Sequence, residues 1–245
     1  MKNTSLNELV YELLELRRAY IKDTDPLDRR LVIDWIQSQR ARLLKQKFDQ
    51  PFASIDDHYV QSLSPLSGTG ISMEKVLSNE VGISNYDYMW RTSVDIPRTI
   101  ESKDGTGCFT RIGPADRLSD HFQITSYKHA LSLGYGKFNY NTIYAFVLGD
   151  RIYLTSNGGL HFAIKYLDIR GVFQDPIAAA RMYDPTWDYN DDYPINKEII
   201  DQLKGLIVNE KFQLTLFQAH DKIDDQDDNP EGNTSVSARK TQSPS

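Results

Sequence analysis

Four aspartates near the C-terminus have the residue type and the close spacing of a metal-binding loop: Asp224, Asp225, Asp227 and Asp228. Carboxylate oxygens on neighbouring loop residues are the ligands that Ca²⁺ prefers. In a calcium loop that begins at Asp225, however, Pro230 stands where glycine is required and Val236 stands where the closing glutamate is required. The cluster is therefore interpreted as a solvated acidic segment or one that docks on a basic partner surface, and no metal site is predicted.

Other catalytic and cofactor patterns also fail on spacing or on ligand count. The five histidines include no pair at the i, i+4 spacing that places two imidazoles on one helix face. Gly134-Tyr135-Gly136 lacks the third glycine of a dinucleotide loop, and neither a GxxxxGK[ST] nor a GxSxG motif occurs. The single cysteine, Cys108, excludes an internal disulfide framework. We therefore predict no catalytic residue and no cofactor, and a protein that is not an enzyme.

Basic and aromatic side chains are the remaining candidates. The bases concentrate in one predicted helix: Arg29, Arg30, Arg40, Arg42, Lys45 and Lys47. They either line a DNA path or, as is more common, form a solvated helix face or intersubunit ion pairs. Exposed aromatic residues mark interfaces, and two segments are rich in them: Tyr86, Tyr88 and Trp90, then Tyr183, Trp187, Tyr189 and Tyr193.

Two amphipathic helices are predicted to position the first of these groups. Residues 5–8 form a capping box, and leucines at helical spacing follow over residues 6–20. Asp25-Pro26 is a second helix start, because an acceptor side chain precedes a proline at the first helical position. Helical spacing continues over residues 27–44, so residues 1–50 are predicted to form an antiparallel helical hairpin.

The middle of the chain, residues 51–175, is predicted to be β-rich because alternation and β-branched residues dominate it. Strands are predicted near residues 90–102, 107–112, 121–127, 143–148, 151–156 and 161–173. The clearest pair is the fourth strand with the fifth, since Gly149-Asp150 between them is a two-residue turn that requires positive φ. Lys103-Asp104-Gly105 is predicted to be a similar turn.

Helices return towards the C-terminus. Asp175-Pro176 repeats the cap-then-proline helix start, and the aromatic and acidic run 183–193 is predicted to be a loop. A last helix is predicted from about Asn196 to Phe217, so that residues 176–220 pack with the N-terminal helices. Residues 221–245 contain few large apolar side chains and are predicted to form an acidic extended tail. The fold class is therefore α+β, with helical segments at both ends bracketing a β-rich middle region.

The composition limits the class of protein further. The 245 residues are 40% hydrophobic and 25% charged, which fits a soluble globular chain of one or two domains. A formal charge of -6 argues against wrapping of nucleic acid, because phosphate neutralisation needs an excess of Lys and Arg. No signal-type apolar core is present at the N-terminus, and no run of about eighteen apolar residues occurs. We expect neither export by a signal peptide nor a membrane-spanning segment.

Several ordered segments carry a resemblance to a known family. They are Leu31–Ile36 with Arg40–Gln46, Ile96–Glu101, Thr110–Pro114, Phe138–Asn141 leading into Ile143–Phe146, and Ile169–Pro176. Their order and spacing over roughly residues 1 to 220 resemble the ring, or adaptor, proteins of crAss-like phages. The specificity lies in the whole ordered set, and the tail after Ala219 lies outside the resemblance.

The resemblance implies a virion structural protein that connects head to tail. Copies would form a ring, expected to be dodecameric, beneath the portal protein and above the next tail ring protein. Genomic DNA would pass through the ring without sequence-specific binding. The implied location is the portal–tail junction of the virion, after synthesis in the cytoplasm of the bacterial host. A closed ring also requires a heterologous interface, in which two different patches of each copy meet.

Partner-binding residues are predicted in the aromatic loop and at the C-terminal end: Trp187, Tyr189, Phe212, Leu214, Leu216, Phe217, Asp224, Asp225, Asp227 and Asp228. The end of the last helix and the acidic tail are assigned to the portal, with apolar anchors followed by carboxylates that track a basic surface. Two other functions stay open. The chain could be a tail-fibre or cargo-associated binding protein, or a glycan hydrolase with two carboxylates roughly 5 to 10 Å apart.

Overall fold

Helices at both ends of the chain surround a curled sheet in the computed structural model of the protein. The structure describes residues 4–20, 27–50, 54–65, 69–82, 88–101, 106–116, 120–132, 142–156 and 164–213. The predicted α+β class, with a β-rich middle between helical ends, is confirmed.

The two N-terminal helices are α1, Leu6–Tyr20, and α2, Arg29–Phe48. The hydroxyl of Ser5 accepts a hydrogen bond from the backbone amide of Glu8, as the predicted cap requires. The N-cap of α2 is Asp28, whose carboxylate accepts a 2.9 Å hydrogen bond from the amide of Arg30. The prediction of Asp25 as this cap was therefore wrong, and Asp25 itself lies outside the described residues.

The described part of the sheet consists of short strands. They are β1 (Gln61–Ser62), β2 (Ile71–Leu77), β3 (Tyr88–Thr92), β4 (Phe109–Pro114), β5 (Gln123–Ile124), β6 (Ile143–Leu148), β7 (Arg151–Ser156) and β8 (Tyr166–Gly171). Neighbouring strands follow the order β1-β8-β2-β3-β7-β6-β5, and β4 pairs with β8. The pairs are antiparallel except for β5 with β6.

The β6–β7 hairpin matches its prediction residue for residue, from Ile143 opposite Ser156 to Leu148 opposite Arg151. Gly149 in its turn has a φ of 64°, the left-handed conformation that glycine adopts without steric cost. Strand β2 was not predicted. The strand predicted over residues 121–127 is shorter in the structure, where it consists of β5 alone. Tyr127 already belongs to a short helix, α3, which is Tyr127–Ser132.

The sheet curls until its two ends meet. The amide of Phe122, just before β5, donates a 2.7 Å hydrogen bond to the carbonyl of Ile112 in β4. Strand β5 pairs with β6 at one end of the strand order, and β4 pairs with β8 near the other end. The curled sheet therefore encloses its own apolar interior.

Alternation along the strands divides the buried apolar residues into three clusters. Phe173 and Phe109 belong to the cluster inside the curled sheet, whereas their chain neighbours Val172 and Cys108 belong to a second cluster shared with α1 and α2. The third cluster lies on the other side of β3, β6 and β7, where Phe146 and Tyr153 stack with ring centroids 5.5 Å apart. Helices α1 and α2, which cover the second cluster, are called the helical wall, and the third cluster is separate from it.

The C-terminal helices return to the helical wall. Helix α4 is Pro176–Tyr183, and the carboxylate of its N-cap Asp175 accepts hydrogen bonds from the amides of Ile177 and Ala178. Helix α5, Lys197–Leu206, begins where predicted, with Asn196 as its N-cap, and packs its apolar side against α1 and α2. A π-helix, Ile207–Phe212, follows where a continuous α-helix was predicted. The proposed divisions at residues 50, 175 and 220 stay predictions.

Candidate functional site

The loop after α4 and the neighbouring helices hold a surface group of aromatic and arginine side chains, the aromatic–arginine cluster. Its members are Trp187, Tyr189, Arg29 and Arg181. The Trp187 and Tyr189 rings meet edge to face with centroids 5.8 Å apart. The guanidinium carbons of Arg29 and Arg181 lie 5.6 and 5.8 Å from the centre of the Tyr189 ring. Tryptophan, tyrosine and arginine are the residues most enriched at interface hot spots.

The chain's N-terminal end fixes this loop in place. The amide of Asn7 donates a 3.0 Å hydrogen bond to the carbonyl of Tyr189, and the amide of Tyr193 donates to the carbonyl of Thr4. Within the loop, hydrogen bonds from the Thr186 hydroxyl and amide hold the pKa of Asp184 below its usual value. The aromatic rings are therefore held in position before any partner binds, which lowers the entropy lost on association.

Trp187 and Tyr189 are half-buried against the helical wall. This half-buried position does not test the predicted role of the two side chains in partner binding, which stays a prediction. Neither arginine was predicted as a companion of these rings. Arg181 lies in α4, only eight residues before Tyr189, whereas Arg29 is far from the loop in sequence and only the fold brings α2 to the same ring.

The basic residues of α2 do not form one continuous basic face among the described residues. Arg40 is fully buried, so its interpretation as a solvated or DNA-lining residue was wrong. Arg42 forms a 2.8 Å ion pair with Glu210, and the Lys47 amine lies 5.1 Å above the Tyr59 ring. These intramolecular partners reduce the positive charge available to a nucleic acid.

Ion pairs also occupy the arginines of the sheet. Asp168 is 4% exposed and its carboxylate lies 2.8 Å from the Nε of Arg111 and 3.1 Å from the Nε of Arg170. Across β2, β3 and β7, Glu74 accepts from Arg91 and Arg151, and the hydrogen bond from Arg91 is the main cause that lowers the pKa of Glu74. These networks hold strands together.

Phe212 is the only predicted C-terminal anchor within the described residues. Its side chain is 2% exposed and lies against Trp35 of α2, with ring centroids 6.2 Å apart. A partner that contacts Phe212 must therefore displace it from this intramolecular site. The remaining predicted contacts lie outside the described residues: Leu214, Leu216, Phe217, Asp224, Asp225, Asp227 and Asp228.

The described residues contain neither a metal-binding cluster nor a membrane-spanning helix. No cluster of three or more His, Cys, Asp or Glu side chains there is arranged to hold a metal ion. No helix in the same part of the chain combines the length and the apolar character needed to cross a membrane.

A family model described as phage tail ring protein 2 matches residues 8–230 of the chain. The chain belongs to the phage tail ring protein 2 family. The match spans most of the 245 residues, and it confirms the predicted resemblance to a ring protein of crAss-like phages. It also extends to residue 230, beyond Ala219, where the resemblance was predicted to end. No curated protein matches the chain.

Membership of this tail ring family assigns the protein a structural role in the virion. A ring protein assembles with copies of itself and with other tail components. In a ring protein the functional surfaces are those that meet other chains, and the aromatic–arginine cluster has the residue composition of such a surface. The structural family also favours a role without catalysis.

Proposed function

We propose that this tail ring protein is a non-catalytic head-to-tail connector that forms a ring beneath the portal. The match to phage tail ring protein 2 over residues 8–230 carries the proposal. The ring is dodecameric, it contacts the portal on one side and the next tail ring protein on the other, and genomic DNA passes through it. The site is the portal–tail junction, and the protein is made in the host cytoplasm.

The layered fold supports a heterologous ring contact. Helices cover the outer side of the sheet near Val172, whereas the buried cluster around Phe146 belongs to a different part of the outer side, so these two regions of each copy are built differently. A head-to-tail ring requires such a pair of unlike patches. The aromatic–arginine cluster lies on the helical side, since Arg29 belongs to α2 and the loop is hydrogen-bonded to residues 4–7.

The charge distribution supports passage of DNA without tight binding. The chain carries a formal charge of -6, and arginines such as Arg42, Arg111 and Arg151 are engaged in ion pairs within the chain. A lumen rich in free bases would retain DNA by releasing its counterions. A weakly charged wall permits movement of the genome.

Mass and shape in solution test the ring and its portal contact. The purified chain, alone and mixed with portal, is analysed by native mass spectrometry and negative-stain microscopy. We expect ring-shaped particles that co-migrate with portal. A compact monomer that ignores portal would contradict the connector role, and cleavage of a polysaccharide by that monomer would support the hydrolase instead.

The C-terminal end of the chain, Phe212 to Glu231, is proposed to supply the portal contact. Its sequence places apolar residues before a run of carboxylates. A chain that ends at Ala219 should bind portal at least tenfold more weakly than the full chain. A chain that ends at Glu231 keeps every acidic residue of the segment and is the matched control. Equal portal affinity of the full chain and the chain ending at Ala219 would contradict this assignment.

A further inference from the structure

Strands β2 and β3 carry an exposed group of apolar and basic side chains, called the β2–β3 patch. Its members are Lys75, Leu77 and Tyr88. Leu77 and Tyr88 are directly opposite each other in the strand register, and they are 44% and 52% exposed. The Lys75 amine lies 3.9 Å from the centre of the Tyr88 ring. The three side chains therefore form one continuous surface.

The alternation of side chains along β2 and β3 explains why the patch is uncovered. Residues two apart on a strand share a face of the sheet. Met73 and Trp90, on the same face as the patch, pack partly against the apolar interior of the curled sheet. Val76 and Met89, on the other face, are buried in the third cluster. The patch is thus the part of the inner face that continues beyond the covered interior.

Lys75 determines the chemistry that a partner of the patch must have. No ion pair of Lys75 occurs among the residues that the structure describes, whereas Arg91 and Arg151 share the carboxylate of Glu74. An aromatic face attracts an ammonium group but does not neutralise it. A charge that is buried without a counterion is costly. A surface that covers the patch should therefore combine apolar side chains with carboxylates.

The loop of the aromatic–arginine cluster has this composition. Its rings supply apolar area, and exposed aspartates stand close to Tyr189 in the sequence. The aspartates of the loop outnumber the two arginines of the cluster: Asp184, Asp188, Asp191 and Asp192. The cluster and the patch belong to different elements of the fold, so each copy carries both. They are the two unlike surfaces that a head-to-tail ring requires.

We propose that the β2–β3 patch of one copy binds the aromatic–arginine cluster of the next copy. This inference rests on the proposed function, since the occupant is the neighbouring copy in the ring. Leu77 and Tyr88 pack against the rings of the cluster, and Lys75 lies among the aspartates of its loop. Of the two aromatic segments of the sequence, one thus supplies the counterpart of the other.

Two blocked variants of the full chain test the pairing. Leu77→Asp places a carboxylate in the patch, against the aspartates of the next copy, and Tyr189→Ala removes the central ring of the cluster. Each variant alone should need an at least about tenfold higher concentration than the wild type to form rings. In an equimolar mixture, the intact cluster of one variant meets the intact patch of the other. The mixture should therefore form one-to-one dimers that extend no further, as measured by sedimentation velocity.

Val94→Asp is the matched control for the blocked patch. Val94 is an apolar residue that is 45% exposed, and it lies outside the patch, six residues after Tyr88. This variant should assemble like the wild type. Circular dichroism confirms that all three variants fold.

A reversal of charge tests the contact independently. Lys75→Glu and Asp188→Lys should each weaken assembly, because each variant places like charges opposite one another. A chain with both substitutions has opposite charges at every contact of the ring. It should form rings at a lower concentration than either single variant.

The outcomes separate this pairing from the proposed ring itself. Normal rings from a folded Leu77→Asp chain, or a mixture of blocked variants that forms no dimers, would overturn the pairing and leave the ring intact. Normal rings that bind portal more weakly would assign the patch to the portal, which also overturns the pairing. A wild-type chain that forms no rings would overturn the proposed function, and the pairing with it.

Discussion

The guanidinium of Arg40, in the middle of α2, donates a 3.0 Å hydrogen bond to the backbone carbonyl of Phe173, the second residue after β8. Its Nε donates a second bond of 2.9 Å to the carbonyl of Pro194. Burial lowers the pKa of Arg40, and no ion pair of this side chain occurs within the described ranges. One buried cation therefore ties the helical wall to the sheet and to the segment that follows the aromatic loop.

Substitutions of Arg40 should separate the effect of lost hydrogen bonds from the cost of burying charge. Arg40→Ala leaves two carbonyls without a donor and creates a cavity, so we expect a loss of roughly 3–5 kcal/mol in the free energy of unfolding. Arg40→Met fills most of the volume and removes the buried charge, and it should cost less than about 2 kcal/mol. Urea denaturation measures both. Equal losses in Arg40→Ala and Arg40→Met would show that the lost hydrogen bonds, and not the lost packing, determine the change in unfolding free energy.

Tyr193 should make stability fall at high pH. Burial raises its pKa to about 12 from an ordinary value near 10, with nearby Arg40 partly opposing the shift. Because the folded state keeps the proton longer, this stability is fully present below about pH 10 and is lost as pH rises towards 12. The Tyr193 hydroxyl has no hydrogen-bond partner among the described residues, so Tyr193→Phe should be neutral or slightly stabilising at pH 8.

Urea denaturation of the wild type and of Tyr193→Phe, each at pH 8 and at pH 11, measures the contribution of Tyr193. The quantity compared is the loss of unfolding free energy between the two pH values. Cys108 also titrates in this range, since burial raises its pKa to about 11, and it is present in both chains. The wild type should lose more stability than Tyr193→Phe over this interval, by up to roughly 1.4 kcal/mol, because pH 11 lies one unit above the ordinary pKa of tyrosine. Parallel losses in the two chains would contradict the prediction.

The sequence predicted the structural elements that depend on interactions between neighbouring residues. The cap at Asp175, the start of α5 at Asn196 and the Gly149 turn each depend on a few adjacent residues, and all three are confirmed. The fold class followed from these elements.

Elements that depend on distant partners were not predicted. Strand β2 carries Glu74 and Lys75 in its middle, which obscures the apolar alternation, and these charges are satisfied only across the sheet by Arg91 and over the Tyr88 ring. The π-helix was missed for a similar reason, because nothing in residues 207–212 signals it until Phe212 meets Trp35. The meeting of Arg29 with Tyr189 likewise arises from tertiary packing.

At Gly149, the cost of a substitution should depend only on how readily the new residue adopts the left-handed backbone conformation. Its φ is 64°, and a Cβ added there would meet no atom of the described segments within 4 Å, its chain neighbours apart. Gly149→Val forces a β-branched residue into the left-handed region and should cost about 1–2 kcal/mol of unfolding free energy. Gly149→Asn should cost less, because asparagine enters this region more readily. Thermal unfolding measures both variants, and equal destabilisation would point to a lost contact in place of backbone conformation.

Tyr189 should control ring assembly more than it controls folding. Tyr189→Ala removes the ring that contacts Trp187, Arg29 and Arg181. A hot spot of this composition typically contributes about 2 kcal/mol or more to association. The concentration at which rings form should therefore rise at least about tenfold. Tyr189→Phe keeps the ring and both arginine contacts, losing only a long 3.5 Å bond from Arg181, so it is the matched control and should assemble like the wild type. Sedimentation velocity over a concentration series measures assembly, and circular dichroism confirms that both variants fold. Normal assembly of a folded Tyr189→Ala chain would remove the aromatic–arginine cluster from the ring interface, whereas a defect shared by Tyr189→Phe would indicate that the hydroxyl, and not the ring, makes the contact.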